Sequence, residues 1–189
     1  MADIPDAFAL GVTIATELDA AGIANALGGA IALAAWGVPR ATIDVDINVF
    51  VEDDRMNDVL DVVERAIGVS VDRSAALRGH IDNGLMVLVS ASGMRIDVFT
   101  PSIEFSWEAA QTAQRRHILD ADVSVLSAEA LAVFKLLFFR SKDIADLERL
   151  VATQRTGMDA AYVRGHIADM MGEDDPRVAR WDDLVRQFG

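Results

Sequence analysis

The 189-residue chain contains no cysteine, so disulfides, thiolate nucleophiles and cysteine-based zinc sites are not available to it. Its three histidines, His80, His117 and His166, are far apart in the sequence, which disfavours a histidine metal site. Only four prolines interrupt a chain that is 52% hydrophobic. This composition predicts a folded globular protein, and the lack of cysteine favours a reducing cytoplasm.

One segment, residues 21–39, lacks charge over almost the length of a membrane span. Gly28-Gly29, Gly37 and Pro39 would break a single helix there, and no basic flank follows it. We therefore expect a buried strand, a glycine turn and a short helix, with no membrane association. The acidic residues 1–6 are also unlike the basic start of an export signal.

Basic residues are scarce, with 17 Lys and Arg against 30 Asp and Glu and a net charge of −13. Nucleic acids are bound through Lys and Arg that neutralise phosphates, so this charge opposes an extended nucleic-acid surface. Two features reduce the conflict. Acids gathered around divalent ions would be neutralised by them, and basic residues cluster at positions 115–117 and 135–142.

Hydrophobic periodicity predicts strands and helices that mix to about residue 126, followed by helices alone. This order predicts an α+β fold with two parts, a small mixed sheet flanked by helices (residues 1–126) and a C-terminal helical bundle packed on it (residues 127–189). The predicted strands are 23–27, 42–51, 85–91, 94–99 and 123–126, and the predicted helices are 7–20, 30–36, 56–67, 105–116, 128–139, 142–152, 158–171 and 178–188.

The strand predicted at 42–51 alternates strictly between apolar and polar residues. Its apolar face runs from Ile43 to Val49, and its polar face carries Thr42, Asp44 and Asp46. A solvent-facing edge strand would explain simple alternation. Two aspartates on one face repel each other and are depleted in strands, however, so a bound divalent cation is the simplest agent that offsets the repulsion.

Two other features are consistent with a phosphate and metal site. Gly28-Gly29 ends a predicted strand before a helix of small residues, a turn that presents backbone N–H groups to a phosphate or serves packing alone. Asp97 occupies the centre of the strand predicted at 94–99, on the same face as Arg95. Three carboxylates on neighbouring strands suit two Mg²⁺ (or Mn²⁺) ions, which complete their shells with water and the phosphates of an NTP.

Together these motifs carry a resemblance. Gly28-Gly29, Arg40-Ala-Thr-Ile-Asp44-Val-Asp46 and Arg95-Ile-Asp97 resemble the signature of the DNA polymerase beta-type nucleotidyltransferase superfamily. The run Phe134-Lys135-Leu-Leu-Phe-Phe-Arg140-Ser-Lys-Asp143-Ile-Ala-Asp146-Leu resembles the helical half of its AbiEii-type toxins, including the MenT group. The chain departs from the pattern at Gly29, where many members have Ser and hence a hydroxyl for phosphate.

The resemblance implies a metal-dependent nucleotidyltransferase of that fold, which moves an NMP from an NTP and releases pyrophosphate. It implies metal ligands at Asp44, Asp46 and Asp97, the last also being the candidate catalytic base. It further implies nucleotide-binding and supporting roles for Gly28, Gly29, Thr42, Lys135, Arg140 and Asp146. Lys135 on its apolar helix is also compatible with simple extension to solvent, and Asp143 with an ordinary surface ion pair.

Three functions remain open from the sequence. The C-terminal resemblance favours a toxin that adds nucleotides to the 3′ end of tRNA, with a cognate antitoxin as a further partner. The acidic charge favours a small-molecule enzyme resembling the lincosamide and aminoglycoside nucleotidylyltransferases, because an acidic cleft attracts a cationic acceptor. A non-catalytic binding module of the same fold is the third.

Overall fold

A computed structural model of the protein describes residues 6–189, over which the chain forms one six-stranded sheet and nine α-helices. The α+β prediction of a small mixed sheet flanked by helices is confirmed. Most of the acidic start, residues 1–5, lies outside the described residues. The strands are β1 (Asn25–Leu27), β2 (Asp44–Val49), β3 (Leu85–Val89), β4 (Arg95–Phe99), β5 (Gln114–Ile118) and β6 (Ala121–Val125). The helices are α1 (Ala7–Ala20), α2 (Gly29–Ala35), α3 (Met56–Ile67), α4 (Arg73–Asn83), α5 (Phe105–Thr112), α6 (Ala128–Phe138), α7 (Ser141–Gln154), α8 (Ala160–Met171) and α9 (Pro176–Phe188).

The sheet has the strand order β3-β4-β2-β1-β6-β5. Strand β2 runs parallel to β4 and β1 parallel to β6, whereas the other neighbours are antiparallel. In the β2–β4 register, Asp44 lies opposite Arg95 and Asp46 lies opposite Asp97. Side chains of paired residues point to the same face, so acids that are 51 positions apart become neighbours there.

The apolar sides of β2 and β4 form the centre of the core. Val45, Ile47, Ile96 and Val98 are fully buried, and α1 packs on β1, β2 and β6, with α3 packed on α1. On the C-terminal side, α6 contacts α2 and the helices α7 to α9. Buried side chains from both parts join one continuous core, so the core does not mark a division at residue 126. The domain boundary there stays a prediction.

Helix ends follow local capping rules at several predicted positions. The predicted bounds of α1 and α3 are confirmed: Asp6 accepts a 2.9 Å hydrogen bond from the Phe8 N–H, and α3 ends at Gly68 in the left-handed conformation. Ser127 caps α6, accepting a 3.1 Å hydrogen bond from the Ala130 N–H, and the helix begins at residue 128 as predicted. Local side-chain chemistry thus sets where the site-bearing helix α6 begins.

Two local predictions are wrong, and one helix was not predicted. The helix predicted to reach Arg116 ends at Thr112, because residues 114–118 pair with β6 in a hairpin instead. Helix α4 was not predicted, since it buries only Ala76 and so shows no apolar stripe. Ile43 was predicted on the buried face, but it is 87% exposed because β2 begins at Asp44 and leaves Ile43 outside the strand.

The uncharged segment 21–39 divides into β1, a glycine turn and α2, as expected. Across residues 6–189, no helix is both long enough and apolar enough to cross a membrane.

Candidate active site

A cleft of about 440 Å³ lies between the open face of the sheet and the helices α6 and α7. The sheet side contributes β2, β4 and the Gly28-Gly29 turn. The charged side chains that line it are Arg40, Asp44, Asp46, Arg95, Asp97, Lys135, Arg140, Lys142 and Asp143. Five of these are basic and four acidic, so the cleft carries a local charge of +1 in a chain of net charge −13. Cationic groups are therefore concentrated where the sequence predicts phosphate binding.

Asp46 lines the cleft from strand β2. Burial, then the charges of Asp44 and Asp97, raise its pKa from 3.8 to about 6, despite the opposing charges of Lys135 and Lys142. No described side chain donates a hydrogen bond to its carboxylate. Asp46 is therefore half-buried among other acids without a basic side chain bonded to it. Carboxylate oxygens in this situation suit a divalent cation.

Asp44 is held by the residue two positions before it. The Thr42 hydroxyl donates a short hydrogen bond to Oδ1 of Asp44. Thr42 itself does not line the cleft, so its predicted place beside the phosphates stays a prediction. What the structure shows is a threonine that orients one of the two paired acids.

Asp97 is engaged by a neighbour on its own strand. Arg95 Nε lies 2.7 Å from Oδ1 of Asp97 and Nη2 lies 3.1 Å from Oδ2. Both carboxylate oxygens therefore accept hydrogen bonds from one guanidinium, and Arg95 is exposed. Within residues 6–189, no three acidic or histidine side chains lie close enough together to hold one metal ion. A metal-binding or base role for Asp97 stays a prediction, and it requires Arg95 to release the carboxylate.

The glycine turn packs directly against Asp46. The Gly28 N–H donates a 2.8 Å hydrogen bond to the backbone oxygen of Asp46. Gly29 has φ +48°, and a Cβ at this position would overlap Oδ2 of Asp46. Any side chain at this position would therefore require the turn or Asp46 to move. No side chain caps α2, so its first backbone N–H groups are left for a ligand or water.

Lys135 is buried and doubly paired. Its Nζ lies 2.7 Å from Oδ2 of Asp146 and 3.6 Å from Oδ1 of Asp143. Oδ1 of Asp146 also lies 3.3 Å from Arg40 Nε, although the geometry makes this an ion contact without a hydrogen bond. Lys135 therefore does not extend to solvent. Two carboxylates hold its ammonium at the wall of the cleft.

Arg140 and Asp143 form the start of α7. Arg140 Nε lies 2.6 Å from Oδ2 of Asp143, which also accepts a hydrogen bond from the Arg140 backbone N–H. Burial alone would raise the pKa of Asp143, but its hydrogen bond with Arg140 and the charge of Lys135 lower it overall. Asp143 is 2% exposed, so the ordinary surface ion pair considered from the sequence is wrong.

Several cleft residues escaped sequence reasoning. Arg40 opens the motif that contains both aspartates, so its position offered a signal that was not used. Ser106, Phe99 and Phe138 offered none, because neutral residues of these types occur throughout folded proteins. Only the tertiary structure brings them beside the acids.

A second depression, of about 450 Å³, lies at the end of α3. Its two acids, Asp61 and Glu64, both bind the guanidinium of Arg73. It contains none of the predicted site residues.

Known proteins share the fold of this chain and show its family. Two structures of the antibiotic-resistance factor ANT(2'')-Ia are similar in fold. The solution structure is 18% identical, with a TM-score of 0.62 over 95% of both chains. The crystal structure, in complex with adenylyl-2''-tobramycin, is 16% identical, with a TM-score of 0.53 over 96% of this chain and 98% of that chain. At such low identity the likeness shows the fold alone. No curated protein matches the chain. The model of the family described as "Nucleotidyl transferase of unknown function (DUF2204)" matches residues 9–180, and the chain belongs to that family.

Proposed function

We propose that the protein is a metal-dependent nucleotidyltransferase that moves an NMP from an NTP to an acceptor and releases pyrophosphate. One observation carries the proposal. Asp46 lies half-buried between Asp44 and Asp97, against the glycine turn and across a cleft from the buried Lys135. An arrangement that raises a carboxylate pKa to about 6 destabilises the folded protein unless a cation is bound. A carboxylate with a purely structural role does not need such an arrangement.

Asp44 and Asp46 would hold Mg²⁺ or Mn²⁺, because both present carboxylate oxygens on one face of β2. When bound, such an ion would supply positive charge that stabilises the α-phosphate of the transferred nucleotidyl group and the leaving pyrophosphate. Asp97 would complete the set once Arg95 has released it.

The remaining residues bind and orient the triphosphate. Gly28 and Gly29 leave room for close approach of phosphate oxygens to the backbone. Lys135 supplies a buried ammonium whose position is fixed by Asp146. Arg140, fixed by Asp143, supplies a guanidinium at the rim. Positive charges that are held in place before substrate binds stabilise developing negative charge without reorganisation.

The cleft carries a local charge of +1, so it is not the acidic cleft expected from the sequence, and only the net charge of the whole chain favours a small cation as the acceptor. The basic cluster at 115–117 is occupied within the protein: Arg115 binds Asp19 at 2.6 Å, and Arg116 lies over the Trp36 ring at 4.4 Å. Asp19 therefore offsets the charge of Arg115, whereas Arg116 keeps its positive charge because an aromatic ring does not cancel it. A net charge of −13 attracts a cationic molecule and repels a polyanion.

The 3′ end of tRNA is the second candidate acceptor, as expected for a toxin of the AbiEii or MenT type with a cognate antitoxin. Arg95, Arg140 and Lys142 are exposed and line the cleft, where they could contact RNA phosphates. The run from Phe134 to Leu147 supports the same candidate. A non-catalytic module is the remaining alternative.

The test is incorporation of α-³²P-labelled NTPs, each of the four separately, in Mg²⁺ or Mn²⁺. Total tRNA and a panel of aminoglycosides are the acceptors. We expect labelled product with one acceptor class, and its loss in Asp46→Asn. The matched control is Asp54→Asn, which replaces an exposed aspartate without side-chain partners among the described residues.

The outcomes separate the candidates. Labelled tRNA assigns the toxin reaction, and labelled aminoglycoside assigns the small-molecule reaction. If no NTP is consumed with any acceptor and no Mg²⁺–NTP binding is detected by calorimetry, the enzyme proposal fails and the binding module remains.

A further inference from the structure

The cleft has two chemically different ends along the direction of β2 and β4. The acids occupy paired positions, with Asp46 opposite Asp97, and the next pair on the same face is Asn48 opposite Phe99. Two residues along a strand span about 7 Å. Beyond that step the lining is mainly apolar, and the Arg140 guanidinium lies beside it. We call this part the neutral end, and define it by Phe99, Ile103, Ser106, Leu131, Phe134 and Phe138.

An aromatic wall bounds the neutral end. The Phe99 and Phe138 rings lie 5.9 Å apart at an interplanar angle of 59°. Phe138 is 47% exposed although it is a large apolar residue lining a cleft. The guanidinium of Arg140 lies over its ring, 4.7 Å from the centroid. An exposed phenylalanine beside a fixed cation provides a surface on which a flat ring can stack.

Ser106 is the one polar residue of the neutral end. It is 6% exposed, and its hydroxyl makes no hydrogen bond with any residue of the described range 6–189. Its oxygen is still reached by solvent from the cleft, and it has no competing partner within residues 6–189, so it is available to a ligand. Because Ser106 lines the cleft, that ligand would lie in the neutral end.

We propose that the neutral end is the nucleobase subsite, with Phe138 and Phe99 as the stacking wall and the Ser106 hydroxyl as a hydrogen-bonding partner of the base. This inference rests on the proposed function. The base is the uncharged, planar part of an NTP, and a ribose separates it from the phosphates. A subsite that lies two residues, or about 7 Å, beyond the aspartates along the strands matches that separation. The lack of carboxylates in the neutral end opposes a polycationic acceptor there.

The experiment is isothermal titration calorimetry of the whole chain in Mg²⁺, with each of the four NTPs and with inorganic triphosphate, which lacks a base. The variants are Phe138→Ala and Ser106→Ala. The matched control is Ser74→Ala, an exposed helical serine outside the cleft. Circular dichroism of each variant checks the fold, and Phe138 is exposed enough for its removal to leave the core intact.

We expect the wild type to bind at least one NTP more tightly than inorganic triphosphate. Phe138→Ala should weaken NTP binding about 5-fold or more, as removal of a base-stacking ring does. Ser106→Ala should weaken it about 2- to 10-fold, the range of one neutral hydrogen bond. Neither variant should change binding of inorganic triphosphate, and the Ser74→Ala control should change neither.

Other results overturn the inference. If the wild type binds NTPs and inorganic triphosphate with equal affinity, the base subsite is contradicted but the proposed phosphate and metal site is not. Variants that leave NTP binding unchanged, or that weaken both ligands equally, also contradict it. If the wild type binds neither ligand, the proposed function fails and the subsite fails with it.

Discussion

Asp46→Asn offers a direct test of the electrostatics on which the site depends. The substitution keeps the size and shape of the side chain but removes its charge. In the metal-free protein Asp46 is half-buried beside two other acids, and its pKa is about 6 rather than 3.8. We therefore expect the variant to be more stable than the wild type at neutral pH, although it should be inactive.

The magnitude follows from the raised pKa. One pKa unit corresponds to about 1.4 kcal/mol, so the increase from 3.8 to about 6 corresponds to as much as about 3 kcal/mol. The sign follows from proton binding. Between pH 3.8 and about 6 the folded wild type binds this proton more strongly than the unfolded chain, so its stability falls as the pH rises. Above about pH 6 the penalty is complete, and below 3.8 it is absent.

The measurement is urea unfolding of the wild type and Asp46→Asn in EDTA at a series of pH values. The difference in unfolding free energy should grow between pH 4 and 6 and level off above it. With a urea dependence of about 2 kcal/mol per molar, the midpoint at pH 8 should rise by roughly 1.5 M. Added Mg²⁺ should stabilise the wild type and leave the variant nearly unchanged. Asp54→Asn is the control, because Asp54 is exposed and away from the cleft.

The reasoning is refuted if Asp46→Asn is less stable than the wild type at pH 8. It is equally refuted if the gain is the same at every pH, since that would show that the charge of Asp46 is not responsible.

Three further predictions concern the glycine turn, the buried lysine and ligand binding. Gly29→Ala should lower stability by about 1–3 kcal/mol through backbone strain, and it should abolish transfer because the new Cβ displaces Asp46. Gly93→Ala is the control, since Gly93 also has a positive φ but lies in open space, and this variant should lose stability but keep transfer activity. A Gly29→Ala variant that remains active would contradict the prediction. Lys135→Met should destabilise the fold by about 3–5 kcal/mol, because Asp146 is left buried without its ammonium. Adding Asp146→Asn should restore part of that stability in urea unfolding but not transfer, and recovered transfer would argue for a purely structural lysine. Mg²⁺ with an NTP at 100 times its Kd should raise Tm by about 5–10 °C in calorimetry, and an unchanged Tm would count against nucleotide binding.

Much of the fold could be predicted because its signals are local. The bounds of α1 and α3 follow from apolar residues at helical spacing and from residues that cap or end the helix. Helix α4 lacked such a signal because it buries a single side chain. Strand β5 was missed because its identity depends on pairing with β6, a contact that the residues 114–118 do not encode by themselves.

The site divides in the same way. Asp44 and Asp46 could be placed on one face from the sequence, because side chains alternate along a strand regardless of what surrounds it. The two-residue spacing and the Gly28-Gly29 turn led to the prediction of a phosphate and metal site. Tertiary structure alone placed Asp97 opposite Asp46, since that neighbourhood depends on the parallel register of two strands distant in the chain. It also decided that Arg95 binds Asp97 and that Lys135 lies between buried carboxylates, because side-chain pairing depends on distances that only packing determines.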